Sequence, residues 1–157
     1  MKKISFISIL NRSMGTYAII CKPVCDKLHM PLPALQILMT LADNPELTTA
    51  KEISIHKALK PTLISFYVEK LVQAGYLERQ SIKGNRRSVK LVCTDKALPI
   101  IEQGRKINKL YFSLITEGFS DEEISFFRNI TEKIDRNMEA IREKAAAGEL
   151  ISSAGSE

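Results

Sequence analysis

The chain has 157 residues, 45% of them hydrophobic and 26% charged, which excludes a disordered chain and fits one compact domain or a subunit that leans on a partner. Lysine and arginine total 23 against 18 acidic residues, a net charge of +5, and three cysteines without paired spacing speak against a disulfide scaffold and fit a reducing compartment. The absence of tryptophan and an aromatic content of 6% disfavour a stacking platform for single-stranded nucleic acid, and two distant histidines leave little material for a zinc site.

Met1-Lys2-Lys3 followed by Ile4 to Leu10 imitates the start of a signal peptide, but the apolar run stops at Asn11-Arg12 without a small-x-small cleavage site, and bulky Ile20 precedes Cys21. No apolar run approaches the roughly 20 residues of a spanning helix, so the expectation is a soluble, cytoplasmic chain with no membrane partner. The same segment is coherent as a helix. Ile7, Leu10, Met14, Tyr17, Cys21, Val24 and Leu28 alternate spacings of three and four, one continuous apolar seam. Pro23 removes a backbone donor within it and predicts a kink or an early end. A seam so near the terminus has little of its own domain to cover it and suits packing against a second subunit.

Pro31-Leu32-Pro33 breaks the chain, and Leu35, Leu38, Met39 and Leu41-Ala42 predict a short second helix ending at Asp43-Asn44-Pro45. Thr49-Ala50-Lys51-Glu52 has capping-box spacing and opens a third helix to about His56. Pro61 suits the first turn of a fourth, where Ile64, Val68 and Leu71 recur at helical spacing before Gly75 stops it. The period then changes. Tyr76 to Gln80 and Ser88 to Cys93 predict two strands, and Lys83-Gly84-Asn85-Arg86-Arg87 between them predicts a basic hairpin tip turning on Gly84-Asn85. Thr94 is expected to cap a long helix, weakened by Pro99 and Gly104 and ended by Gly118. Ser120-Asp121-Glu122-Glu123 is a second capping box, opening a helix with Ile124, Phe127, Ile130, Ile134, Met138 and Ile141 on one face.

Two helices, a short turn and a basic hairpin in that order form the pattern of a winged helix-turn-helix. The fold expected is therefore mainly α with a small β-hairpin wing: an N-terminal dimerisation helix (1–30), a winged helix-turn-helix DNA-binding domain (31–96), C-terminal dimerisation helices (97–147) and a frayed tail (148–157). Charge supplies an independent sign. Residues 51–96 hold ten basic and four acidic side chains, so their surplus of six exceeds the whole chain's +5 and leaves the remainder at −1. A basic surplus concentrated on the reader is what binding to double-stranded DNA requires, because phosphate neutralisation supplies most non-specific affinity.

In such a unit the second helix reads base edges from the major groove. With Ile64, Val68 and Leu71 inward, Thr62, Ser65, Phe66 and Glu69 point outward. Thr62 and Ser65 suit a base edge or a phosphate, and an exposed Phe66 suits a thymine methyl; a rotated helix would instead put Phe66 in the core. Glu69 is unfavourable near phosphate and is expected to pair with Lys70 or Arg79, or to accept from a cytosine amine. Lys51, Lys60, Lys70 and Lys83 complete the basic surface, while Asn85, Arg86 and Arg87 suit a wing that enters the minor groove or grips its phosphates. The bland alternative for the arginines is a solvated turn.

From about Leu28 to Gln103 the chain resembles the multiple-antibiotic-resistance regulator (MarR) family of bacterial transcription factors. The resemblance rests on Leu35-Gln36-Ile37-Leu38, Ala50-Lys51-Glu52-Ile53, Thr62-Leu63-Ile64-Ser65, the run Leu71-Val72-Gln73-Ala74-Gly75-Tyr76-Leu77-Glu78-Arg79, and Arg86-Arg87 followed by Leu91-Val92-Cys93-Thr94. Ser120-Asp121-Glu122-Glu123 fits the opening of the family's last helix. Three departures stand out: Lys83-Gly84-Asn85 replace the wing's usual acidic residues, Pro31 replaces a capping Ser or Thr, and Lys57 occupies a position often given to leucine. The resemblance implies a homodimer joined through its first and last helices on a pseudo-palindromic operator, most often a repressor. It also implies release by a small aromatic or lipophilic inducer bound between the dimer helices and the reader.

Some members respond instead to thiol oxidation. Cys21 and Cys25, at i and i+4, are this chain's candidates, although buried free cysteine normally behaves as a small hydrophobe. A third reading is a winged-helix protein-interaction module without DNA affinity. No cofactor is expected, and no nucleophile triad, paired-carboxylate motif or phosphate-cradling loop points to an enzyme.

Overall fold

The computed structural model describes residues 5–82 and 85–149, the side chains of 82 and 85–88 excepted. Helix α1 (Phe6–Leu28) is followed by α2 (Leu32–Asp43), α3 (Ala50–Lys57) and α4 (Pro61–Gln73), then strands β1 (Leu77–Ile82) and β2 (Asn85–Cys93), then α5 (Leu98–Ile115) and α6 (Asp121–Ala146). Two compact units divide within α5, one ending at Phe112 and the other starting at Ser113. The order is the one expected from the sequence, mainly helical with a single antiparallel hairpin.

Pro23 does not end α1, which runs on to Leu28 and closes on His29 in the left-handed region (φ 49). The reason is geometric. Proline removes the N–H that would reach the carbonyl of residue 19, and Ile19 lies on the solvent side, 72% exposed, where solvent can replace the lost donor. The seam of α1 is also divided. Its C-terminal part is covered by its own unit, with Cys21 and Cys25 buried, while Ile7, Leu10 and Met14 remain exposed.

α2 is the centre of the first unit. Ala34, Leu35, Ile37, Leu38, Met39 and Leu41 are all buried, so the helix is apolar around most of its circumference and packs on α1, α3, α4 and β2. Leu35, Ile37 and Leu38 join Ile53, Ile64, Leu77 and Ile101 as the most deeply buried large side chains. Pro31 holds the N-cap position without a side-chain bond, and Pro33 sits in the first turn, where its missing N–H costs nothing.

Both predicted capping boxes form. Thr49 Oγ1 accepts from the Glu52 N–H at 3.2 Å while Glu52 Oε2 accepts from the Thr49 N–H at 2.8 Å, and Ser120 and Glu123 repeat the arrangement at 3.2 and 2.8 Å. Gly75 stops α4 as expected. It adopts φ +75, its N–H reaches Val72 O at 2.9 Å, and the Tyr76 N–H reaches Leu71 O at 2.9 Å, the two bonds of a Schellman closure.

Two expectations are corrected. Thr94 does not cap a helix: its hydroxyl donates to Gly75 O at 2.7 Å, and a 3-10 turn at Asp95–Ala97 leads into α5. That bond ties the end of β2 to the end of α4, and it points the hydroxyl toward Gly75, so the Thr94 side chain makes no cap bond. Asn85, Arg86 and Arg87 lie within β2 rather than in the hairpin tip. Pairing runs regularly from Leu77↔Cys93 to Ser81↔Val89 and then jumps to Ile82↔Asn85, so Arg86, Arg87 and Ser88 are extra residues on β2 opposite an irregularity. Lys83 and Gly84 lie outside the described residues, as do the first four residues and most of the tail, 150–157. The Leu91 N–H also donates to Thr48 O at 2.7 Å, which anchors the hairpin to the chain entering α3. Among the described residues no helix is long and apolar enough to cross a membrane.

Candidate nucleic-acid interface

The reader is built by α3, a three-residue connection and α4. α3 ends on Ala58 in the left-handed region (φ 50), and the buried Ser54 hydroxyl donates to Leu59 O at 2.7 Å, fixing the turn before Pro61 starts α4. Ile64, Val68 and Leu71 are buried, and the helix phase read from the sequence follows: Thr62, Ser65, Phe66 and Glu69 are exposed. Phe66 is 54% exposed, so the alternative of a rotated helix with Phe66 in the core is excluded.

The exposed face has its own organisation. The Phe66 ring meets Tyr67 edge-on, with centroids 5.1 Å apart, and Lys70 Nζ stands 5.7 Å from the Phe66 centroid. The ammonium one turn along therefore lies over the ring, a cation–π contact that steadies both side chains. Glu69 pairs with Arg79 at 2.9 Å and accepts from Gln73 at 3.1 Å, and the Arg79 guanidinium holds its carboxyl below the usual range. The one acidic residue on this face is thereby compensated from the base of the hairpin, as one of the sequence options required.

Among the other predicted residues, Lys51 is exposed in the first turn of α3, and Lys60 is exposed at the N-cap position of α4, its carbonyl accepting from the N–H groups of Leu63 and Ile64 at 3.0 and 3.2 Å. The structure thus brings Lys60, Thr62, Ser65, Phe66 and Lys70 onto one helix. Asn85, Arg86 and Arg87 are placed as backbone positions in β2 only, and Lys83 lies outside the described residues. The redox candidates are on α1: Cys21 and Cys25 are buried free thiols, and burial raises the pKa of both. Cys93 is half-buried with its thiol toward Leu38 O at 3.7 Å, and burial raises it too. His29 closes α1 and His56 is exposed. No cluster of three or more metal-ligating side chains exists among the described residues.

Sequence reasoning missed a cavity of about 400 Å³ behind the reading helix. Leu28, Met30, Ala34, Tyr67, Leu71 and Tyr76 supply most of its wall, and His29 and Lys70 supply polar groups. No local pattern marks it, because its wall is assembled from α1, α2 and α4.

A helix-turn-helix followed by a hairpin of this order defines a winged helix-turn-helix protein. Residues 30–89 match the model of the MarR family. Proteins of this family are regulators of transcription, not enzymes. Solved structures agree in fold over most of the length. A crystal structure of MarR superposes with a TM-score of 0.78 at 17% identity, covering 92% of this chain and 97% of that one. A MarR protein from Peptoclostridium difficile gives 0.72 at 20% identity, covering 92% and 95%. A MarR family protein of Mycobacterium tuberculosis, solved in complex with salicylic acid, gives 0.66 at 17% identity, covering 85% and 98%.

Proposed function

We propose that this protein is a sequence-specific regulator of transcription in the cytoplasm that binds double-stranded DNA as a homodimer and represses until a small lipophilic or aromatic ligand releases it. The observation that carries the reading is the face of α4. Thr62, Ser65 and an exposed Phe66 braced by Lys70 stand within residues 51–96, which hold the chain's entire basic surplus, and within the stretch that matches the MarR family model. An exposed phenylalanine costs solubility unless a partner covers it, and a thymine methyl in the major groove does so. Lys51, Lys60, Lys70 and Lys83, with Asn85, Arg86 and Arg87 of the wing, supply phosphate contacts.

Dimerisation is supported by apolar side chains left uncovered within each unit: Ile7, Leu10 and Met14 on α1, and Phe127, Met138 and Ile141 on α6. Two-fold symmetry then requires a pseudo-palindromic operator with half-sites about one helical turn apart. Release by a ligand is supported by the cavity behind α4, whose volume of about 400 Å³ and largely apolar wall suit a small aromatic acid. The oxidation alternative finds less support, since burial raises the pKa of Cys21 and Cys25 and disfavours the reactive thiolate.

Selection of bound sequences from random duplexes tests this reading. The expected result is a pseudo-palindrome whose affinity falls steeply with salt and falls again on adding salicylate. Failure to bind any duplex at low salt would leave the protein-interaction module. Loss of binding on diamide that Cys21→Ser prevents would assign the signal to oxidation.

A further inference from the structure

A second cavity, of about 250 Å³, lies on the other side of α2 and differs in chemistry from the one behind the reading helix. Its wall combines Tyr17 of α1, Gln36, Asp43 and Asn44 of α2 and its end, Lys57 of α3 and Asn108 of α5. Most of these groups are already fixed in direction. Tyr17 OH donates to Asn108 Oδ1 at 2.7 Å, which turns the Asn108 NH₂ group outward from that bond as a free donor. Asn44 Nδ2 donates to Thr40 O at 2.9 Å, leaving its oxygen as an acceptor. Arg105 binds Asp43 Oδ1 through Nε and a terminal nitrogen at 3.0 and 2.6 Å, which compensates that carboxylate and leaves Oδ2 able to accept.

Lys57 is the exception. Half-buried at the end of α3, it has no hydrogen-bond or ion-pair partner among the described residues, Asp43 acting on it only at longer range. An apolar side chain would fill the same space without the cost of withdrawing a charge from water, so the unpaired ammonium at a polar cavity asks for an anion. With Asp43 offset by Arg105, the surroundings retain one uncompensated positive charge.

We infer that the cavity walled by Tyr17, Gln36, Asp43, Asn44, Lys57 and Asn108 is a binding site for a small hydroxycarboxylate, its carboxylate on Lys57 and Asn108 and its hydroxyl donating to Asp43 or Asn44. The volume is below the roughly 300–1,000 Å³ of pockets for drug-sized ligands, which restricts the occupant to a small molecule. The polar wall, with acceptors on Asp43 and Asn44, favours an acid that also carries a hydroxyl over the aromatic acids that suit the apolar cavity. The inference does not depend on the DNA-binding reading.

The test uses the full chain without DNA, titrated calorimetrically with sodium lactate, glycerate and 3-hydroxybutyrate against equal sodium chloride, with benzoate as the aromatic control. At least one hydroxy acid is expected to bind above the salt control, and Lys57→Met to weaken it tenfold or more. Asn108→Asp, which sets a carboxylate against the anion, should do the same, so a folding defect in one variant does not decide the matter. In amide NMR spectra of the wild type the side-chain NH₂ signals of Gln36 and Asn108 should move on titration. The inference is overturned if none of the three acids binds above sodium chloride, if both variants bind as the wild type does, or if the shifts gather at Phe66 and Tyr67 instead.

Discussion

Phe66 and Lys57 are two residues whose chemistry disagrees with a plain structural role, in opposite ways. Phe66 is an apolar ring left in water, so removing it takes little from the fold. Phe66→Ala is expected to change stability by less than about 0.5 kcal/mol while altering operator preference by about 1–3 kcal/mol, readable as a urea midpoint held constant beside a changed selected sequence. Equal losses on operator and random duplex would assign the ring to non-specific contact.

Lys57 is a cation held half out of water, and burial lowers its pKa from the ordinary 10.5. A lysine lowered in the folded state destabilises the fold at neutral pH, and the cost is relieved as pH rises through the folded value toward 10.5. Lys57→Leu should therefore raise the unfolding free energy at pH 7 by about 1 kcal/mol, with the gain shrinking in unfolding curves taken near pH 10. The polar cavity around it was not legible in the sequence, because Tyr17 and Asn108 reach it from helices distant in the chain.

Among the elements, α3 and α4 depend on their ends. Glu52 accepts the N–H groups of Thr48 and Thr49 at 2.7 and 2.8 Å, and these bonds hold its carboxyl below the ordinary value of 4.5. A carboxyl lowered on folding stabilises the protein above that ordinary value and loses the contribution as pH falls below it. Glu52→Gln should cost about 1 kcal/mol in urea unfolding at pH 7 and less at pH 3.5. At the other end, Gly75→Ala places a Cβ on a residue at φ +75 and should cost roughly 1–2 kcal/mol. Both motifs were readable from sequence because capping boxes and glycine closures are local: every atom involved lies within a few residues. The hairpin tip was misread for the complementary reason. Gly84-Asn85 is a good turn by composition, but the register is set by the pairing of Leu77 through Ser81 with Val89 through Cys93 and by Thr48 behind Leu91. That register moves Asn85, Arg86 and Arg87 into β2.

At the scale of the whole molecule the predictions concern charge and assembly. Replacing Arg86 and Arg87 together by alanine should weaken every duplex alike and reduce the slope of log affinity against log salt by up to about 2, since each lost phosphate contact removes about one released counterion. Met14, 73% exposed on α1, should tolerate Met14→Glu without loss of monomer helicity, yet the change should shift sedimentation from dimer to monomer if α1 forms the dimer contact.

The sequence by itself determined the helix-turn-helix and hairpin order, the inward face of α4, both capping boxes and the concentration of charge in residues 51–96. These follow from periodicity, spacing and counting, which are properties of neighbouring residues. Tertiary structure alone decided that α1 runs through Pro23, that Thr94 ties β2 to α4 instead of capping α5, and that an apolar cavity lies behind the reading helix and a polar one beside Lys57. Each of these depends on which side of a helix meets solvent or another element, and that is settled only when distant segments compete for the same buried space.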